Sequence, residues 1–399
     1  MRRVAVTGLG IVCALGEGVT QVWSSLQSGR SGIAPIQAVD TATLRFRNGA
    51  EARMFHVEHY FPGNKSDFLD RFARFAVVAA RQAVEDSGAR LVPERTAVLL
   101  GSCVGGQNAQ DAGFVDLYRD GKNRVHPLTI PKTMGNAGVS HVCMELGITG
   151  PAMTINTACS SANHAIGQAF AMVRSGQADL ALAGGSEAPF SYGFLKAWEA
   201  MRVVSSDTCR PFSQDRSGMI LGEGGAVLVL EPADAAEKRG ATIYGEIAGF
   251  GMSADAHHLT QPSVEGPALA MRNALADAQL DPAAVGHINA HGTATLTNDP
   301  IESRAIRAVF GERTPEVLVT STKSMHGHAL GAAGAIEAIA ALLALQQQCV
   351  PPTANFTARD PECDVNVVTE ARAARLEAAL SNSFAFGGLN AVLAFRRAR

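Results

Sequence analysis

The stretch Thr154-Ile155-Asn156-Thr157-Ala158-Cys159-Ser160-Ser161-Ala162-Asn163-His164 carries the residue whose chemistry organises the chain. A β-branched, apolar lead-in reaches a small residue, one cysteine and two serines, and then the helix-forming run Ala162–Met172. This pattern predicts a buried strand that turns sharply into a buried helix, with Cys159 at the helix start. Unpaired N–H groups and the positive end of the helix dipole gather there, and both favour the thiolate that a nucleophilic cysteine needs. Free cysteines are also among the residues most often simply buried, so this stretch alone leaves nucleophile and structural thiol evenly matched.

Other segments supply partners for a nucleophile. Asn289-Ala290-His291-Gly292-Thr293-Ala294-Thr295 offers an imidazole and two hydroxyls in a tight turn, and Ser321-Thr322-Lys323-Ser324-Met325-His326-Gly327-His328 offers a lysine and two more histidines. A lone histidine is usually structural, but two His-Gly or Gly-His turns in a chain with a candidate nucleophile favour catalysis. Asn382-Ser383-Phe384-Ala385-Phe386-Gly387-Gly388-Leu389-Asn390 is a turn with paired glycines, whose backbone N–H groups can point at a developing oxyanion. By itself it reads equally as a tight turn before a final strand.

The elements that must position these residues alternate strand and helix. Residues 3–8, Thr96–Leu100, Ala178–Ala183 and Ala226–Leu230 read as strands, while Val19–Gln27, Phe68–Ser87 and the Gly/Ala-rich Ala329–Leu345 read as helices. Past residue 240 the pattern begins again. At an offset of 191, Arg81, Ala83, Asp86 and Gly101 match Arg272, Ala274, Asp277 and Gly292; at 164, Cys159 falls on Lys323. Gly225–Leu230 likewise resembles Asn390–Phe395. The chain reads as a duplicated unit with halves at 1–242 and 243–399, each α/β with parallel-rich sheets covered by helices. Chemistry in such sheets lies beyond the carboxyl ends of the strands, so the segments above should converge on one cleft.

Composition narrows the function classes. With 399 residues, 47% hydrophobic content and a formal charge of −3, the chain can bury a large core and has no global basic field for nucleic acid or anionic lipid. Gly8-Leu9-Gly10 lacks the spacing of a dinucleotide fingerprint. The start, Met1-Arg2-Arg3-Val4, has no room for a signal peptide, and Ala329–Leu345 contains Glu337, which suits a helix buried in protein better than one in lipid. The seven cysteines show no Cys-x-x-Cys or metal-like spacing, so free thiols in the cytoplasm are expected, with no metal.

Taken together, Thr157-Ala158-Cys159-Ser160-Ser161, His291-Gly292-Thr293-Ala294-Thr295, Lys323 through Gly327-His328, and Asn382 through Gly388 resemble the β-ketoacyl-[acyl-carrier-protein] synthases of the elongating type, in the thiolase fold. The resemblance spans the chain and implies a layered αβαβα body. It makes Cys159 the acyl-accepting nucleophile, His291 and His328 the pair that drives malonyl decarboxylation, and Lys323 an electrostatic partner tied to Glu337. The N–H groups of Cys159 and Phe386 would form the oxyanion hole. Thr293 and Thr295 would bond the phosphopantetheine arm, with Asn390 in support. The acyl pocket would run past Val104, Met134 and Gly135, reaching across a dimer.

The resemblance further implies decarboxylative condensation with malonyl-acyl carrier protein and no resident cofactor. The acidic carrier would dock on Lys65, Arg71, Arg74 and Arg124, and the chain would pair with a copy of itself or with a related subunit. Ala294, Leu296, Ala385 and Leu389 depart from the common family pattern. With Asp255-Ala256-His257-His258 they point to specialised synthases of the nodulation or aryl-polyene kind. A coenzyme A thiolase would need a second reactive cysteine near the C-terminus, and none follows Cys363. A chain-length-factor subunit would lack the nucleophile.

Overall fold

The computed structural model describes residues 2–398, the side chains of Asn64 and Lys65 excepted. Ten strands carry the architecture: β1 (Val4–Cys13), β2 (Thr96–Gly101), β3 (Ala152–Ile155), β4 (Leu180–Glu187), β5 (Gly224–Pro232), β6 (Gly245–Ala254), β7 (Val285–Asn289), β8 (Leu318–Thr320), β9 (Ala378–Phe384) and β10 (Leu389–Arg396). Seven helices matter for the site: α1 (Val19–Gln27), α2 (Arg71–Ser87), α3 (Ala137–Leu146), α4 (Ser161–Ser175), α5 (Glu265–Ala278), α6 (Asn298–Phe310) and α7 (Ala333–Gln347).

The first half is ordered β1-β5-β4-β2-β3 and the second β6-β10-β9-β7-β8, so each strand has its counterpart in the same place. Within each half the β2–β4 and β7–β9 groups are parallel, while β5 and β1, like β10 and β6, run antiparallel. The sheet is therefore mixed, with the expected parallel strands grouped at β2–β4 and β7–β9. β1 meets β6 over Val4↔Ile247, Ala5↔Glu246 and Val6↔Gly245, and this seam joins the halves into one sheet.

Helices α4 and α7 pack on each other and on the strands of both halves. Helices α2 and α3 cover the outer face of the first half, and α5 and α6 that of the second. This is the αβαβα layering that the thiolase-like resemblance implies. Every residue of Ala333–Leu345 is buried, and a Cβ on Gly334 would stand 2.4 Å from Asn163 Oδ1, so only glycine lets α7 approach α4 this closely. The stretch Leu330–Gln347 is apolar enough to cross a membrane but is 89% buried within the fold. Its apolarity is thus satisfied inside the chain and does not by itself call for a partner.

Two boundaries moved, and one strand is more exposed than expected. The Phe68–Ser87 helix begins at Arg71, because the Asp70 side chain accepts the Phe72 N–H (3.3 Å) and caps it there. Strand β3, expected to be buried, lies at the sheet edge with Ala152 and Met153 exposed. The Ala329–Leu345 helix starts with a 3₁₀ turn at Leu330–Ala332 and becomes α-helical from Ala333.

Candidate active site

Ala158 has φ 52°, a left-handed conformation that a residue with a Cβ adopts only under local constraint. Ser161 supplies that constraint: its hydroxyl donates to the Ala158 carbonyl (2.6 Å) and accepts the Thr157 N–H (2.9 Å). The chain therefore reverses sharply just before Cys159, which stands two residues ahead of α4 and is 7% exposed. The thiol is not poised as a thiolate in the resting site. Burial pushes it up to about 11, against the opposing pull of the Lys323 charge and the N–H groups of Phe386 and Cys159 itself. Desolvation outweighs the helix terminus on which the sequence expectation relied.

His291 and His328 stand 5.4 Å apart, ring centre to ring centre, nearly edge to face at 84°. Their surroundings fix their tautomers. His291 Nδ1 lies 3.4 Å from the Lys323 ammonium, which can only donate, and His328 Nδ1 accepts the Leu330 N–H at 3.2 Å. Burial and the Lys323 charge hold both imidazoles well below the usual histidine range. Each is therefore neutral at pH 7 with its proton on Nε2, and both rings line one cavity with Cys159.

Lys323 occupies the position that duplicates Cys159 in the second half. It is fully buried, donates to the His291 carbonyl (2.7 Å) and pairs with Glu337 on α7. His326 is buried behind it, held by Thr322 Oγ1 (3.0 Å) and away from the cavity.

Two carboxylates that the sequence reading gave no role hold the histidine turn. Glu302 accepts the N–H groups of His291 (2.8 Å) and Gly292 (2.7 Å), and Asp299 accepts those of Phe212 (2.7 Å) and Ala294 (3.2 Å). Both are fully buried at the start of α6, directly after the turn they hold. The only sequence signal was the acidic Asn298-Asp299-Pro300-Ile301-Glu302 run following it. Glu187 at the end of β4 does similar work in the first half, accepting the N–H groups of Cys103 (2.6 Å), Val104 (3.3 Å) and Gly331 (3.1 Å). Burial nonetheless raises its carboxyl to about 7.

The loop between β9 and β10 closes the site. Gly387 and Gly388 have φ 83° and 70°, and the Gly387 N–H donates to the Leu259 carbonyl at 2.7 Å. Phe386 stacks on Trp198 with ring centres 6.3 Å apart. Asn390 Nδ2 reaches Asp255 Oδ1 at 2.7 Å, tying this loop to the segment 255–262. A cavity of about 310 Å³ opens between them, lined by Cys159, His291, His328, Phe386, Thr293, Thr295, Asn390, Trp198, Met201, Val203 and Met219 among others. The hydroxyls of Thr293 and Thr295 are 2.9 Å apart on its wall.

The structure thus brings together Cys159, His291, His328, Phe386, Thr293, Thr295 and Asn390, with Lys323 and Glu337 behind them. It places Val104, Met134 and Gly135 outside this cavity. Met134 and Gly135 are exposed, and a Cβ on Gly135 would meet nothing within 4 Å, because residues 134–136 lie on the outer surface rather than beside Cys159. Of the docking candidates, Arg71 is committed to Glu223 (2.6 Å) and stacks on Phe75, and Arg74 is turned onto the carbonyls of Ser66 (3.0 Å) and Leu69 (3.2 Å). Neither is a free surface charge. Arg124 is exposed, and the Lys65 side chain lies outside the described residues.

Known proteins resemble the chain along its whole length. Residues 1–236 match the β-ketoacyl synthase N-terminal domain and residues 244–357 its C-terminal domain. Nodulation protein E of Rhizobium sp. (strain N33) is 47% identical over 401 residues, covering 99% of each chain. The 3-oxoacyl-[acyl-carrier-protein] synthase 2 of Staphylococcus aureus (strain COL) is 38% identical over 407 residues, covering 99% of this chain and 98% of that one. Among solved structures, the ishigamide ketosynthase/chain length factor superposes with a TM-score of 0.96 at 34% identity. A β-ketoacyl synthase from Burkholderia phymatum STM815 does so at 0.93 and 35%, each with full coverage of both chains.

Proposed function

The chain belongs to the β-ketoacyl synthase family and is a condensing enzyme of chain elongation, and on that premise we propose how its residues divide the work. The observation that carries the reading is two neutral imidazoles, each with its proton on Nε2, sharing one cavity with a buried thiol at a helix start.

In the first half-reaction the Cys159 sulfur attacks the thioester carbonyl of an acyl-carrier substrate. The N–H groups of Cys159 and Phe386 hold the oxyanion, and the thiol proton leaves with the departing phosphopantetheine thiol. Thr293 and Thr295, on the cavity wall, bond the amides of that arm. Malonyl-carrier thioester then enters, and its carbonyl oxygen accepts the Nε2–H groups of His291 and His328. The carbon–carboxylate bond breaks, carbon dioxide leaves, and the electron pair is held as an enolate. Its carbon attacks the acyl-cysteine carbonyl; the oxyanion forms again on the same two N–H groups and collapses by expelling the Cys159 thiolate. The product is a 3-oxoacyl-carrier thioester. Every group in this sequence belongs to the chain or the substrates, so no cofactor is assigned.

The partner is an acyl carrier protein, supported by a neighbour at a TM-score of 0.91 and 31% identity that is a type II polyketide ketosynthase in complex with its carrier. We assign the exposed apolar residues Phe114, Tyr118, Ile130, Met134, Met144 and Met153, with the open edge of β3, to contact with a second copy or a related subunit. The seven free thiols support a cytoplasmic site of action. Identity of 47% with nodulation protein E against 38% with synthase 2 supports a specialised acyl chain.

The test is acylation followed by partial reactions. Incubation with an acyl-carrier thioester should add one acyl group per chain, at Cys159 by peptide mapping. Cys159→Gln should abolish condensation and keep malonyl decarboxylation. Label on another residue, or condensation by Cys159→Ala, overturns the reading.

A further inference from the structure

Ser160 follows the nucleophile and its side chain is wholly buried, with three acceptors in reach. Its Oγ is 2.9 Å from the Leu389 carbonyl, 2.9 Å from the Thr157 carbonyl and 3.1 Å from Thr157 Oγ1. One hydroxyl hydrogen can serve only one of them at a time. Two of these acceptors belong to the nucleophile's own turn. The third lies across the site, one residue beyond the Gly387-Gly388 pair and three beyond Phe386.

The other hydroxyl in this cluster is already committed. Thr157 Oγ1 lies 2.9 Å from His164 Nδ1, and His164 is packed edge-on against Phe250 with ring centres 5.9 Å apart. Burial keeps His164 neutral, and its Nδ1 also lies 3.1 Å from the Ser160 carbonyl, which can only accept, so Nδ1 carries the proton, serves the Thr157 hydroxyl oxygen from that side and leaves the Ser160 hydroxyl for Leu389.

We propose that Ser160 is a positioning residue whose hydroxyl clamps the loop 385–389 onto the nucleophile turn and so sets the spacing between the Cys159 and Phe386 N–H groups. The proposal rests on the assignment of those two N–H groups to the oxyanion hole. The clamp is reversible. When the loop withdraws to admit a chain, the hydroxyl turns to the Thr157 carbonyl at the same distance, and no buried donor is stranded. The Trp198 stack and the Leu259 carbonyl hold the loop from its other side, so Ser160 supplies the tie toward the nucleophile.

The chain has two tryptophans, Trp23 and Trp198, so a Trp23→Phe background turns Trp198 into a reporter of Phe386. In that background Ser160→Ala should shift Trp198 emission and speed carbamidomethylation of Cys159 at pH 8 about threefold or more. It should also lower kcat about five- to tenfold, the value of one hydrogen bond, with KM for the carrier substrate within twofold. Ser160→Thr, which keeps the hydroxyl, should restore the emission and most of kcat. Ser160→Gly gives the same readout without added bulk if the alanine variant fails to fold. Unchanged Trp198 emission and alkylation in a folded hydroxyl-less variant overturns the clamp. Changed emission and alkylation in an enzyme whose wild type does not condense upholds the clamp and overturns the functional reading instead.

Discussion

Alkylation of Cys159 separates burial from dipole activation. With the thiol raised to about 11 by desolvation, only about one molecule in a thousand carries thiolate at pH 8, against about a quarter for an ordinary cysteine near 8.5. Iodoacetamide should therefore modify Cys159 roughly two hundred times more slowly than an exposed thiol. The rate should climb about tenfold per pH unit from 7 to 10 with no plateau. The assay is quenched-time-point mass spectrometry with peptide mapping, which separates Cys159 from the partly exposed Cys103, Cys143 and Cys349. Lys323→Met removes a charge that pulls the thiol down, so its profile should lie below wild type at every pH. The stability sign follows from the same shift: the folded thiol keeps its proton where the unfolded one releases it, between about 8.5 and 11. This contribution is intact below about 8.5 and is lost as pH rises through 11. A plateau below pH 8.5 would refute the reasoning, because it would show the helix terminus and the two N–H groups outweighing burial.

Thermal stability should level off from about pH 7 to 8.5. On the acid side, buried neutral histidines including His287 and His326, both lowered to about 3, must take up protons on unfolding once pH falls below 6.5. Glu187 and Glu337, raised from about 4.5 to about 7, oppose this by giving up stability as pH rises from 4.5 through 7, and add no further change above that. A melting temperature still rising from pH 7 to 8.5 contradicts this. Arg71→Glu should cost about 3 kcal/mol of stability by setting a second carboxylate against buried Glu223. Arg124→Glu should leave stability unchanged and raise KM for the carrier at least twofold at low salt; calorimetry and a salt series distinguish them. Met219→Trp, on the cavity wall, should shorten the accepted acyl chain at a cost of about 1–3 kcal/mol to longer substrates, measured with a panel of acyl-carriers. Gly135→Phe should change chain length only if a partner subunit covers that face, and an identical profile shows that none does.

The duplication was readable because strand and helix recur in the same order, with a fixed offset inside each matched stretch. Arg81 and Arg272 sit on α2 and α5, and Cys159 and Lys323 begin equivalent turns. The chemistry-bearing residues were readable because their types are scarce and their turns need glycine. The supports were not. Asp299 and Glu302 look like an ordinary acidic helix start, and only the fold shows that backbone N–H groups surround them. Arg71 and Arg74 look like surface charges for the same reason: the chain does not say that Glu223, more than 150 residues away, has claimed one of them. The β3 edge was misjudged because β-branched residues suit an edge strand as well as a central one. The pocket wall is non-local as well, since Met219 and Trp198 reach it from segments that carry no chemical signature.

The place of β1 in the sheet sets how late in synthesis the sheet can be completed. Val4–Cys13 leaves the ribosome before its sheet partners, yet it lies in the middle of the sheet. Cys13 pairs with Gly224 and Val4 with Ile247, more than 200 residues later. At about 5–20 residues per second those partners are synthesised roughly 10–50 s after it. Throughout that interval Val-Ala-Val-Thr-Gly-Leu-Gly-Ile-Val-Cys has no charge, no proline and high β-propensity, and only Val12 and Cys13 have a local partner, in Glu17 and Gly16. Its glycines at 8 and 10, needed later because a Cβ there would strike the carbonyls of Ala83 and Ala79 on α2, also weaken it as a template for pairing with other nascent chains. Yield of soluble protein should therefore depend on holdase chaperones during synthesis far more than on the stability of the finished fold.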